Sequence, residues 1–133
     1  MNHSIETMLK TNPAAKKQSG DLAKLAACIE ACFGCAQACT VCADSCLSEG
    51  DVAMMVPCIR LDLACAEVCF ALGRTLSRLG QSPALTRSLA QACAIACGEC
   101  ATECEKHAGM NEHCKMCAEA CRRCEAACKA ISA

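Results

Sequence analysis

The sequence predicts an all-α protein, an antiparallel up-down-up-down four-helix bundle with a cysteine-lined core. Three observations predict it. Eighteen of the 133 residues are Cys, while Phe33 and Phe70 are the only aromatic residues. The cysteines fall into four segments in which they recur at steps of three and four, the a/d spacing of a helical seam. Helix-capping residues, glycines and a Ser-Pro pair separate those segments. A chain of this length fits one domain, but its core must be filled by something other than large side chains.

Taken in order, residues 1–20 read as an N-terminal extension, with a short helical turn at 4–10 and a linker at 11–20; His3 within it reads as a solvated residue. Residues 21–133 read as the bundle domain. Its first helix, near 21–47, begins at the potential cap Asp21 and carries Cys28, Cys32, Cys35, Cys39, Cys42 and Cys46. Gly50 ends it. Asp51 opens the second helix, near 52–79, with Cys58, Cys65 and Cys69; Pro57 there predicts a late start or a bend. Gly80 closes that helix. Ser82-Pro83, a cap followed by proline, starts the third, near 83–108, with Cys93, Cys97, Cys100 and Cys104. Gly109 ends it, and Asn111 caps the fourth, near 111–131, with Cys114, Cys117, Cys121, Cys124 and Cys128. On a helix these steps put each set on one narrow stripe, whereas a strand would scatter them over both faces. The alanines between them favour helix.

Short connections make consecutive helices antiparallel neighbours. Counting outward from the loops aligns the stripes in layers. The first holds Cys28, Cys69, Cys93 and Cys128, and the second Cys32, Cys65, Cys97 and Cys124. The third holds Cys35, Asp62, Cys100 and Cys121, and the fourth Cys39, Cys58, Cys104 and Cys117. The fifth is Cys42, Met55, His107 and Cys114, with Cys46 beyond. Such a column is about 27 Å long at the helical rise. One end continues into Leu25, Leu72, Leu76, Leu89 and Ile131, an apolar plug. The other gathers Met54, Met55, His107, Met110, His113 and Met116, soft or borderline metal ligands at a mouth.

Charge and chain start narrow the function. The formal net charge of -1 gives no electrostatic case for nucleic acid or an anionic membrane. The first twenty residues hold no apolar run of signal-peptide length, and no segment reads as long and apolar enough to span a bilayer. The expected compartment is the cytoplasm, where thiols stay reduced, so the cysteines point to metal or redox chemistry rather than a disulfide framework.

Thiolates favour Cu(I), zinc and iron–sulfur clusters. Zinc takes isolated tetrahedral sites, commonly on knuckles. Cu(I) accepts two sulfurs, and one sulfur can bridge two ions, which predicts roughly one Cu(I) per cysteine. That ratio also balances thiolate charge, so a filled column is neutral and can be buried. An empty one holds protonated thiols that pack as small hydrophobes, and metal uptake releases protons.

The runs CIEACFGCAQACTVCADSC, CGECATEC and CKMCAEACRRCEAAC resemble the bacterial copper storage proteins, four-helix bundles that fill with Cu(I). The resemblance spans Cys28 to Cys128 and, without an export signal, points to the cytosolic branch. It implies multiple Cu(I) ions, a homotetramer, metal entry at one open end, and all eighteen cysteines as ligands. It also implies that His107, His113 and Asp62 are mouth or pore residues.

Other readings stand beside these. His107 reads equally as a solvated residue at a helix end, where the dipole favours it. His113 lies one residue off the stripe, which makes it the weaker candidate of the two. The methionines read as core filler or as ligands. Asp62, a carboxylate on a seam, either binds metal or water or is exposed by rotation of its helix. Val52, Val56, Ile59, Leu63 and Phe70 form a second stripe, either flank packing or a subunit interface. An iron–sulfur electron carrier is the rival function, but no cysteine precedes a proline as in the bacterial ferredoxin run. A zinc or general metal buffer is the other. No nucleophile elbow, P-loop or dinucleotide fingerprint suggests an enzyme.

Overall fold

The structure is a computed structural model that describes residues 4–18 and 20–132; His3 lies outside the described residues. Helix α1 (Ile5–Lys10) and a 3₁₀ helix (Pro13–Lys17) precede four long helices. These are α2 (Leu22–Leu47), α3 (Val52–Leu76), α4 (Pro83–Glu105) and α5 (Glu112–Ser132). They pack as a ring, α2 on α3, α3 on α4, α4 on α5 and α5 back on α2, with sequential helices antiparallel. This is the up-down-up-down bundle.

The caps follow from the sequence. Asp21 accepts hydrogen bonds from the amides of Ala23 and Lys24, Asp51 from Met54, and Ser82 from Leu85. Each satisfies donors that a helix start leaves unpaired. Pro57 neither delays α3 nor ends it. It falls in the second turn, so its ring forfeits one bond, to the carbonyl of Ala53, at an exposed stretch of helix. Helices α3 and α4 stop three residues short of the expected ends, at Leu76 and Glu105. At the first, the Ser77 hydroxyl donates to the Gly73 carbonyl at 2.7 Å, tying off the last turn. Asn111 turns its side-chain amide towards Met55 Sδ at 3.9 Å, linking α5 to α3.

The expected linker at 11–20 is partly ordered, because Asn12 caps the 3₁₀ helix by accepting from the amide of Ala14. Helix α1 docks on α2, burying Leu9 in a groove with Ile29, Phe33 and Ser77. Phe33 in turn meets Phe70 edge to face, with ring centroids 5.7 Å apart. Its ring lies so close to Gly73 that a Cβ there would come within 2.9 Å of it. Glycine therefore lets α2 and α3 approach at this end.

The core is the column. All eighteen cysteines are buried and none is in a disulfide. Leu72 and Leu76 are buried at the plug end, joined by the fully buried Ile29, with Leu25, Leu89 and Ile131 packed partly against them. The expectation that no segment could span a bilayer is corrected on composition: α2 is long and apolar enough to cross one. Its apolar character comes largely from alanine and from the cysteines that it turns inward to line the column.

Candidate metal centre

The heptad spacing brings each helix's thiols onto the bundle axis, and the antiparallel register interleaves them. Contacts within the expected layers are Cys69–Cys93 at 3.6 Å, Cys65–Cys97 at 3.7 Å, Cys32–Cys124 at 3.8 Å and Cys35–Cys121 at 3.5 Å. Further along come Cys58–Cys104 at 3.5 Å, Cys39–Cys117 at 3.7 Å and Cys42–Cys114 at 3.9 Å. The layers are not separate. Cys35 also lies 3.8 Å from Cys65 and 3.9 Å from Cys39, and Cys69 lies 3.5 Å from Cys97. Sulfurs meet even across the diagonals, as in Cys39–Cys100 at 3.9 Å and Cys69–Cys124 at 3.8 Å. From Cys93 to Cys117 the sulfurs thus form an unbroken run of contacts, and Asp62 stands between that run and the Cys58–Cys104 pair.

Groups of four ligand atoms lie within 4.8 Å of one another along it. One is Cys32, Cys93, Cys124 and Cys128; another is Cys35, Cys69, Cys97 and Cys124. Cys35, Cys39, Cys65 and Cys121 form a third, and Cys39, Cys100, Cys117 and Cys121 a fourth. Cys35, Cys39, Cys121 and Cys124 each serve in two of these groups. Isolated tetrahedral ions would need four sulfurs each. Shared sulfurs suit bridging thiolates and a polynuclear filling.

Asp62 is fully buried, not rotated outward. It sits between the third and fourth layers. Cys100 and Cys117 donate to its Oδ1 at 3.1 and 3.2 Å, Cys104 to the same oxygen at 3.7 Å, and Cys58 to Oδ2 at 3.7 Å. The expected layer partner Cys100 is thus joined by three thiols of the next layer. Burial is the main cause that pushes the carboxyl up to about 8.

At the mouth the order of the two histidines reverses. His113 Nδ1 lies 3.4 Å from Cys42 Sγ and 3.6 Å from Cys114 Sγ, and joins Cys42, Cys46 and Cys114 in a four-ligand group. His107 turns its Nε2 instead to Glu103 Oε2 at 3.0 Å. Residue 113 is in the first turn of α5, where the backward tilt of the Cα–Cβ bond carries the ring over the column's end. Residue 107 follows the end of α4, where helical period no longer sets its direction. Burial raises the Cys46 thiol and pushes Cys114 up to about 11, so these mouth sulfurs are held as thiols until a cation replaces the proton.

The methionine cluster is only partly at the mouth. Met55 is buried there, Met54 and Met110 are exposed, and Met116 lies on the outer α2–α5 groove with Gly34 and Ala38. The second stripe on α3 splits as well. Val52 and Ile59 are half-buried, while Val56, Leu63 and Phe70, spaced by seven, face outward with Leu63 and Phe70 at 52% and 53% exposure.

Comparisons with known proteins agree with the column. A family model described as copper storage protein matches residues 21–133. The fold is similar to that of the copper storage protein Ccsp from Streptomyces lividans loaded with 10 copper equivalents, at 50% identity and a TM-score of 0.93. That match covers 96% of this chain and 97% of the other. A second structure, of a cytosolic copper storage protein from Streptomyces lividans with five coppers, is 55% identical with a TM-score of 0.80, covering 82% of this chain and 92% of that one. The Cu(I)-bound copper storage protein BsCsp3 is 38% identical with a TM-score of 0.73, covering 80% of this chain and 96% of its own. No curated protein sequence matches the chain.

Proposed function

The chain belongs to the copper storage protein family, and from that premise we propose that it stores Cu(I) on the thiolates of Cys28 to Cys128, without catalysis. The observation that carries this reading is the sharing of sulfurs between neighbouring four-ligand groups, at Cys35, Cys39, Cys121 and Cys124. A thiolate that serves two groups can bridge two monovalent ions, and one ion per sulfur leaves the buried column neutral. We assign all eighteen cysteines as ligands, with Asp62 as an oxygen donor in the wall and His113 as a nitrogen donor at the mouth. We assign His107, whose Nε2 lies 3.0 Å from Glu103 Oε2, to the rim beside the entry rather than to the ligand set. The compartment we propose is the cytosol, as for the similar Streptomyces lividans protein.

Anaerobic titration against a chromophoric Cu(I) chelator tests the storage reading. Uptake is expected to continue to roughly 18 equivalents, one per thiolate. A break at four or five would mean separate four-sulfur sites and a zinc-type centre. A brown protein as purified would mean iron–sulfur clusters.

We further propose a homotetramer built on the outward α2–α3 face. The support is the exposed stripe of Val56, Leu63 and Phe70 and its neighbour Val41, a run of large apolar side chains on adjoining helices. Light scattering is expected to give a mass four times that of the chain. A double variant, Leu63→Glu with Phe70→Glu, is expected to fall to a smaller species. An unchanged mass in that variant places the interface elsewhere.

A further inference from the structure

We propose that Glu49 is a positioning residue for metal entry: it fixes the tautomer of His113 so that the ring offers a lone pair to the mouth thiols. The inference rests on the storage reading above for its purpose, but its geometry stands separately. His113 bridges two environments. Its Nε2 lies 2.7 Å from Glu49 Oε2, and its Nδ1 faces Cys42 at 3.4 Å and Cys114 at 3.6 Å. An ionised carboxylate only accepts hydrogen bonds. Nε2 must therefore carry the proton and donate it to Glu49. In the neutral ring that leaves Nδ1 unprotonated, pointing at Cys42 and Cys114 within a group that also holds Cys46.

A histidine that binds metal through one nitrogen commonly donates its other N–H to a carboxylate or carbonyl, which sets ring orientation and raises ligand basicity. Here that partner comes from a different part of the chain. Glu49 stands in the turn between α2 and α3, and His113 in the first turn of α5. Their hydrogen bond thus ties the loop after α2 to the start of the neighbouring helix α5 at the rim. Cys42 and Cys114, the thiols that Nδ1 faces, come from the same two sides, α2 and α5. A cation arriving at this rim would meet a nitrogen donor already aimed between two sulfurs. The side chains of His113 and Glu49 are 20% and 33% exposed, so the pair is reachable from solvent while the thiols behind it are buried.

The test uses the full-length chain. Long-range nitrogen–proton correlation spectra of the reduced, metal-free protein report which ring nitrogen of His113 carries the proton. The wild type is expected to show protonated Nε2, and Glu49→Ala a loss of that preference. Stopped-flow transfer of the first equivalents of Cu(I) from a chelator is then expected to slow about tenfold in Glu49→Ala, in the range typical for loss of such a partner. Glu49→Gln, whose side-chain oxygen still accepts, is expected to recover much of both signals. A role confined to holding the turn would move neither the tautomer nor the Glu49→Gln rescue. Protonation on Nδ1 in the wild type, or wild-type entry kinetics in Glu49→Ala, overturns the proposal. Failure of the wild type to take up copper at all overturns the storage reading instead, and the spectra of the metal-free protein still decide what Glu49 does.

Discussion

Filling the column with Cu(I) is expected to raise the midpoint of thermal unfolding by tens of degrees, the order that mass action on many sites allows. The metal-free core is unusually light. Its fully buried side chains are mostly cysteine and alanine, with Ile29 and Leu72 as the large aliphatic exceptions. Buried thiols pack as small hydrophobes and contribute little each. Metal changes this because the sulfurs belong to different helices. Ions at Cys35–Cys121 would tie α2 to α5, ions at Cys58–Cys104 would tie α3 to α4, and ions at Cys35–Cys65 would tie α2 to α3. A single site saturated at a hundred times its dissociation constant adds about 2.7 kcal/mol, and each kcal/mol moves the midpoint by roughly 2–8 °C in domains near this size. Several such sites exceed the whole stability of an ordinary domain. Circular dichroism melts of metal-free and loaded protein, both reduced and anaerobic, read the effect. A shift of only a few degrees at full loading would mean that the metal binds outside the folded core.

The second large effect is expected at Asp62, in the metal-free state. Its carboxyl is pushed up from 3.8 to about 8, chiefly by burial. The folded protein therefore holds a proton between those values that the unfolded chain has released. Stability is greatest below the unfolded value and falls as pH rises towards 8. At about 1.36 kcal/mol per unit the full span is on the order of 5 kcal/mol. Anaerobic urea unfolding of the metal-free protein at pH 5 and pH 8 is expected to show the wild type weaker at the higher pH. Asp62→Asn, which carries no titratable proton, is expected to flatten that difference and to be the more stable protein at pH 8. A wild type that is equally or more stable at pH 8 would refute this account. A cation beside the same carboxyl would favour its ionised form.

Much of this was legible in the chain itself. Steps of three and four put Cys28 to Cys46 on a single stripe of α2 whatever surrounds that helix, and the short loops then force the stripes together. Layer partners such as Cys35–Cys121 and Cys58–Cys104 follow from counting alone. Side-chain direction was not legible where helical period stops governing it. His107 lies beyond the end of α4 and turns to Glu103, while His113, one residue off the seam, swings over the mouth. Met116 keeps helical period but lies on the outward side of its turn, so it faces the α2–α5 groove. The 1–20 segment shows the same limit, since nothing in its local pattern says that Leu9 will find a slot beside Ile29 and Phe33.

The bundle, the direction of its cysteine seams and, through the number and softness of the thiols, the kind of cargo are written in the spacing and identity of the residues. Those are consequences of local geometry and ligand chemistry, which each segment carries alone. Which sulfurs are shared between neighbouring groups, the reach of Asp62 to thiols on α3, α4 and α5, and the meeting of Glu49 with His113 at the rim emerge only once the helices are packed. Such contacts depend on the stagger and rotation of whole helices against each other. Shifts of a few ångströms, too small to alter the spacing of residues along any one helix, make or break them.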